Sequence, residues 1–263
     1  MATKTEAKKE IANVEEPSFS MTLTETLEEN IQALPKDFNT VRFVQNALVV
    51  LNENEVVKDF AKIHGTRQIK QCMLKGAFLG LDFVNSEAYL VPYGDKLTFM
   101  TSYKGAEKLV KKYSQRPVKS IYSKVVRQGD EFEEIIVNGE PTINFKPLPF
   151  NGNAIIGAFA VCQFEDGGMQ YDTMSLEELE NTRKHSKAKN SQAWADYTAE
   201  MYKKTVLHRL CKHITIDFDN PNQVEAFNEG TEIETDIREQ TKNDMEQTAT
   251  EEFTIDTTAR EVE

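Results

Sequence analysis

Cysteine is scarce in this 263-residue chain: Cys72, Cys162 and Cys211 are all there is. An odd number without paired spacing excludes a disulfide framework and a cysteine-rich zinc site, and fits a reducing cytoplasm. Long apolar runs are missing as well. No segment approaches the roughly 18 apolar residues of a membrane span, and the N-terminus lacks the apolar stretch of a secretory leader. The expectation is a cytoplasmic protein that neither enters a membrane nor is exported. Catalytic signatures are missing too: there is no Gly-x-x-x-x-Gly-Lys-Ser/Thr loop, no His-Glu-x-x-His, no Cys-x-x-Cys and no nucleophile elbow. Cys211 and His213 stand two apart on a helix and are read as incidental rather than metal-ligating. Asp82, Glu87 and Asp95 show no ligand spacing for a magnesium-dependent nuclease and are read as loop and turn formers.

What is present is charge, and it is segregated. The formal net charge is -12, and residues 215–263, with 15 acidic and 3 basic side chains, account for all of it. The body is therefore neutral. Within it, residues 101–128 carry 8 basic and 1 acidic side chain, residues 183–214 carry 8 and 2, and the intervening 129–182 carry 1 and 11. Two cationic segments separated in sequence can converge into one groove for a polyanion, whatever the net charge of the chain.

Periodicity outlines the organisation. Leu23, Leu27, Ile31 and Leu34 have helical spacing and Pro35 ends the run; so short a helix must dock on its own core or on a neighbouring subunit. Asn39 can cap a helix carrying Val41, Phe43, Val44, Ala47, Leu48 and Leu51, and another pattern runs from Ile69 to Gly80. Strand-like runs follow at 88–91, 96–101, 118–127, 132–137, 155–164 and 169–173, separated by Gly-containing turns. Ser175 with Glu178 forms a capping box, a long helix is expected from about Ser191 to His213, and beyond Pro221 the chain lacks periodicity. Helices, then a meander, then helices predict an α+β fold with an antiparallel sheet and packed helices.

Two constellations carry chemistry. With Ser102 as cap and about 100° per residue, Lys104, Lys108, Lys111, Lys112 and Gln115 share one helix face opposite Ala106, Leu109, Val110 and Tyr113. A solvated face ordinarily mixes signs, and Glu107 is the one acid there, so an anion-binding face is favoured. Arg116 follows directly. On the last helix Trp194, Tyr197, Met201, Lys204, His208 and Lys212 fall on one side. Lysines there would track phosphates and flat rings would offer stacking surface, although Trp194 and Met201 at helical spacing also fit a core. Between the helices, Arg183 to Gln192 forms either a solvated linker or a phosphate cradle built from Lys187, Lys189, Asn190, Gln192 and the backbone N–H groups of a helix start.

Tyr89-Leu90-Val91-Pro92-Tyr93-Gly94, Tyr103-Lys104-Gly105 opening a helix, Trp194 to Tyr197, and Met201 to Leu210 occur in one order. Together they resemble the RecT family of phage and prophage single-strand annealing proteins, over about residues 40–215. The resemblance implies an ATP-independent recombinase, distantly related to the Red beta annealing-protein superfamily. Such a protein coats single-stranded DNA as a ring or helical filament, holds it in a basic groove and anneals it to a complementary strand. It implies DNA-binding roles most directly for Tyr103, Lys104, Trp194, Tyr197, Lys203, Lys204 and Arg209. No cofactor is required, magnesium being expected only in association with DNA phosphates, and no covalent chemistry is expected.

The partners implied are single-stranded DNA, the annealed duplex intermediate and further copies of the chain. A companion exonuclease and the host single-strand binding protein would be reached through the C-terminal tail. The expected division is an N-terminal arm at 1–36 with a possible oligomer contact, an annealing core at 37–215 and a largely disordered acidic tail at 216–263. A coating protein that protects strands without pairing them is the main alternative, a metal-dependent nuclease the lesser one.

Overall fold

The computed structural model describes residues 18–231 apart from 138, 187, 188 and 191. Four helices open the fold: α1 (Phe19–Glu29), α2 (Thr40–Glu53), α3 (Glu55–His64) and α4 (Arg67–Leu79), with one 3-10 turn at Ile31–Ala33. Ser18, Asn39 and Asn54 cap α1, α2 and α3 through side-chain oxygens that accept early backbone N–H groups. Gly80, in the left-handed region at φ 66°, ends α4. The antiparallel hairpin β1 (Ala88–Tyr93) and β2 (Lys96–Thr101) follows and leads into α5 (Tyr103–Tyr113).

The second half is built on a three-stranded antiparallel sheet, β3 (Val118–Arg127), β6 (Ile155–Phe164) and β7 (Met169–Ser175), in the order β3-β6-β7. The hairpin β4 (Glu131–Val137) and β5 (Glu140–Lys146) is a separate piece. Helices α6 (Leu176–His185), α7 (Gln192–Asp196), α8 (Thr198–His213) and α9 (Pro221–Thr231) complete the chain. The expected α+β class with antiparallel strands and packed helices holds, but the strands form three pieces rather than one meander. β5 is not among the strand-like runs expected from the sequence, since Pro141 near its start argues against a strand there.

Pleat parity sorts the sheet residues. Ala158, Ala160 and Cys162 pack with Val206, Leu207 and Leu210 of α8 and with Leu179 of α6. Phe159 and Val161, on the opposite face, meet Phe132 and Phe145 of the β4–β5 hairpin. A separate core joins α1–α4, the β1–β2 hairpin and α9 around Leu23, Phe43, Met73 and Phe99. Helix α5 lies between the two: Leu109 and Tyr113 enter the first core, Ala106 and Val110 the second.

Of the two docking sites expected for the apolar side of α1, its own core takes it: Leu23 and Leu27 are fully buried against the first core, and burial of each is worth about 1.5–3 kcal/mol. Two other expectations are corrected here. The helix expected from Ser191 to His213 breaks at Tyr197 (φ -126°, ψ 39°), because turning α7 aside lets the Trp194 ring bury edge-on against Tyr202, 5.9 Å between centroids. The core does not end at 215. Asp217 N–H donates to Tyr113 O at 2.8 Å, Phe218 packs on Tyr113 and Phe227, and α9 lies on α4 and β2. Residues 232–263, and the N-terminal stretch 1–17, lie outside the described residues.

Candidate nucleic-acid interface

Helix α5 is set by its first turn. Ser102 accepts the Gly105 N–H at 3.1 Å, and the Ser102 N–H donates to Glu87 O at 3.0 Å. A Cβ on Gly105 would stand 2.1 Å from that same Glu87 oxygen. The glycine of Tyr103-Lys104-Gly105 is therefore a close-approach residue: any side chain would push the lysine helix off the hairpin.

The outward side of α5 holds the predicted lysines. Lys104, Lys108, Lys111 and Lys112, with Glu87 and Glu107, line an open cleft of about 510 Å³. Three of the four are held by carboxylates. Lys108 Nζ donates to Glu87 Oε2 at 2.6 Å and to Gly80 O at 2.9 Å, Lys111 to Glu107 at 2.6 Å and Lys112 to Asp37 at 3.0 Å. Partial burial opposes the charge on Lys112, but the Asp37 hydrogen bond and the Tyr113 side chain outweigh it and raise its pKa. The hydrogen bond from Lys112 lowers that of Asp37. Lys104 makes no ion pair among the described residues.

Helix α8 runs beside α5, and Lys204 Nζ sits 5.3 Å from the centroid of the Tyr103 ring. The two cationic segments are thus brought together at Tyr103 and Lys204. Lys203 pairs with Glu200 one turn back, and Tyr197 is 63% exposed at the α7–α8 break. Lys189 and Asn190 are exposed, and His208 is half-buried on α8. Lys187 lies outside the described residues, as does the side chain of Gln192, so the cradle expected at 187–192 has no described geometry.

Other candidates are committed to the fold. Trp194 is 3% exposed, flanked by Tyr202 and by the Arg183 guanidinium 5.3 Å from its ring. Its buried ring presents no face for a base, so the core reading weighed for it is the one the packing favours. Tyr202, hydrogen-bonded to Glu180, is pushed up to about 12 by burial and by that carboxylate. Arg209 makes two 2.6 Å bonds to Asp172, also bonds Thr173 O, and lies near Glu178, which ties α8 to β7 and α6. The Asp172 hydrogen bond raises its pKa further, burial opposing. Arg116 is paired to Asp166 at 2.9 and 2.8 Å and lies 4.1 Å over Phe164. Arg209 and Arg116 therefore serve as ties between elements before they can serve a ligand.

Sequence reasoning missed the counter-charges. Asp82 accepts from Arg42, Asn46, Asn85 and the backbone N–H groups of Val84 and Asn85. Glu87 accepts from Lys108 and the Asp82 N–H. No cluster of His, Cys, Asp and Glu suited to a metal ion occurs among the described residues, and no helix among them is long and apolar enough to cross a membrane.

The RecT family model matches residues 41–248. A curated relative, Protein RecT of Escherichia coli (strain K12), is 27% identical over 195 residues, covering 71% of this chain and 71% of that protein. The matched span runs from α2 through α9 and into the acidic tail.

Proposed function

This chain belongs to the RecT family of DNA recombination and single-strand annealing proteins, and from that membership we propose that it is an ATP-independent annealing protein that pairs complementary strands without covalent chemistry. The observation that carries the reading is the meeting of α5 and α8 at Tyr103 and Lys204, with the lysine cleft on α5. A strand whose phosphates follow the lysines of α5 towards α8 leaves its base edges facing outward, where an incoming strand can test them. Burying those edges would block the product. The protein's contribution is charge neutralisation and alignment, so sequence preference is weak and affinity falls steeply with salt.

Binding sites on successive copies, in a ring or filament, would hold enough nucleotides in register for a short match to persist. Magnesium would associate with the DNA phosphates rather than with the protein. The acidic tail would reach a companion exonuclease and the host single-strand binding protein.

The test is a fluorescence-quench assay with two complementary strands and no nucleotide. Acceleration of pairing supports annealing. Slower pairing with intact strands identifies a coating protein, and shortened products with magnesium identify a nuclease.

A further inference from the structure

Behind the lysine cleft lies a second cavity of about 330 Å³, between the start of α2, the loop before it, the 80–87 loop and α5. It shares Glu87, Lys108 and Lys112 with the cleft, so the two adjoin. Its volume is at the small end of ligand sites.

One wall is aromatic. Phe38, half-buried, packs at 5.2 Å on Phe43, which packs at 6.2 Å on Phe83. Another wall is amide: Asn46 and Asn85 both donate through Nδ2 to Asp82 Oδ2, at 2.9 and 3.2 Å. That commitment fixes both amides, and among the described residues their carbonyl oxygens remain available to accept a hydrogen bond. At the rim stand Arg42, Lys108 and Lys112. Each is matched by a carboxylate, Asp82, Glu87 and Asp37 respectively. The cavity is thus close to neutral overall, which disfavours a free phosphate. A flat ring against Phe38, exocyclic amino groups on the amide carbonyls, and a phosphate outside at the lysines describe a nucleotide bound base-inward.

We infer that this cavity takes one nucleobase of the strand lying along α5, swung out of the stack. The inference rests on the DNA reading above and adds a consequence to it. The docked base is withdrawn from pairing, so each copy offers an interrupted run of pairing-competent bases rather than a continuous one.

The test places 2-aminopurine at successive positions of a single strand bound to the full chain and measures quenching by acrylamide. Protection at a subset of positions, abolished in Phe38→Ala while the strand stays bound, is the expected result. As a variant-free check, a strand bearing abasic sites should bind the wild-type protein about five-fold or more weakly than the intact strand. Uniform quenching, or equal affinity for intact and abasic strands, overturns the inference and leaves DNA binding standing. Free dAMP should bind far more weakly than the strand; micromolar binding of dAMP with all strand bases accessible would assign the cavity to a soluble nucleotide instead. Failure of every strand to bind overturns the DNA reading itself.

Discussion

The Lys204 ammonium stands 5.3 Å from the centroid of the Tyr103 ring, and that contact joins the two cationic segments of the chain. Tyr103 follows the Ser102 cap directly, so its place is fixed by the start of α5, while Lys204 projects from the first half of α8. A cation over such a half-buried ring near the surface is worth only about 0.5–1 kcal/mol. Its significance is positional, because it sets Lys204 against the first residue of α5, next in sequence to Lys104, which makes no ion pair among the described residues.

Lys104→Ala and Lys204→Ala should each weaken single-strand binding and lower the slope of log affinity against log salt by about 0.7 per phosphate contact removed. Arg116→Ala and Arg209→Ala should behave differently, since their guanidinium groups are spent on Asp166 and Asp172. Arg209→Ala should cost about 1.5–3 kcal/mol of stability through lost charge-assisted hydrogen bonds to partly buried Asp172, the exposed Arg116–Asp166 pair contributing little, and both should leave the salt slope unchanged. Fluorescence-anisotropy titrations from low to moderate salt, with urea melts of the same samples, separate the two classes. A lysine variant that melts early but keeps its slope would remove that lysine from the track.

Gly105→Ala should destabilise the fold although it adds a single methyl group. The new Cβ would lie 2.1 Å from Glu87 O, a backbone atom that cannot swing away, and overpacking of this kind costs about 1–3 kcal/mol. Because Glu87 also holds Lys108 at 2.6 Å, any shift of that segment should disturb the cleft. The expected outcome is a lower urea midpoint together with reduced DNA affinity. An unchanged midpoint would mean that α5 can slide without penalty.

Local signals were legible in the sequence, and long-range ones were not. The lysine and apolar faces of α5, the Ser102 and Asn39 caps and the Ser175–Glu178 capping box all depend on spacings of a few residues. The partners of the lysines do not: Glu87 and Asp37 reach Lys108 and Lys112 across the fold, so a face that reads as bare charge is largely neutralised. Helical spacing left Trp194 between a stacking stripe and a core, because continuing one helix through Tyr197 put it on the stripe; the break at Tyr197 turns it inward. Helix α9 was hidden by a polar sequence whose docking depends on one glutamine and a few apolar contacts.

Asp130 gives the acid dependence of the second half a definite sign. It accepts from Arg127 N–H at 2.8 Å, Leu148 N–H at 3.0 Å and Asn151 Nδ2 at 2.7 Å, tying the end of β3 to the loop after β5. Burial opposes its charge, but these hydrogen bonds outweigh that and hold its pKa below 3.8. A depressed carboxyl contributes stability that is present above its unfolded value and is lost as pH falls through the folded one. Asp130→Asn should therefore lower the urea midpoint at pH 7, with the gap to wild type narrowing in acid. Equal gaps at neutral and acidic pH would show that the side chain acts by shape alone.

Truncation should distinguish the folded end of the chain from its acidic tail. Gln223 is fully buried; its Nε2 donates to Phe78 O at 3.0 Å and to the Tyr113 hydroxyl at 3.3 Å, and its Oε1 accepts the Asp219 N–H at 2.9 Å. One side chain thus ties α9 to the end of α4 and to α5, the helix that carries the lysines. Gln223→Leu would leave the Phe78 carbonyl and the Asp219 N–H without these partners, at about 1–3 kcal/mol for each group left unsatisfied. A chain ending after Gly230 should melt like the full protein and still accelerate pairing of naked strands. A chain ending at Asn220 should melt markedly earlier and lose affinity for DNA, because Tyr113 and Phe78 at the back of α5 and α4 would be uncovered. If both truncations melted alike, α9 would be dispensable and the folded core would end where its periodicity does.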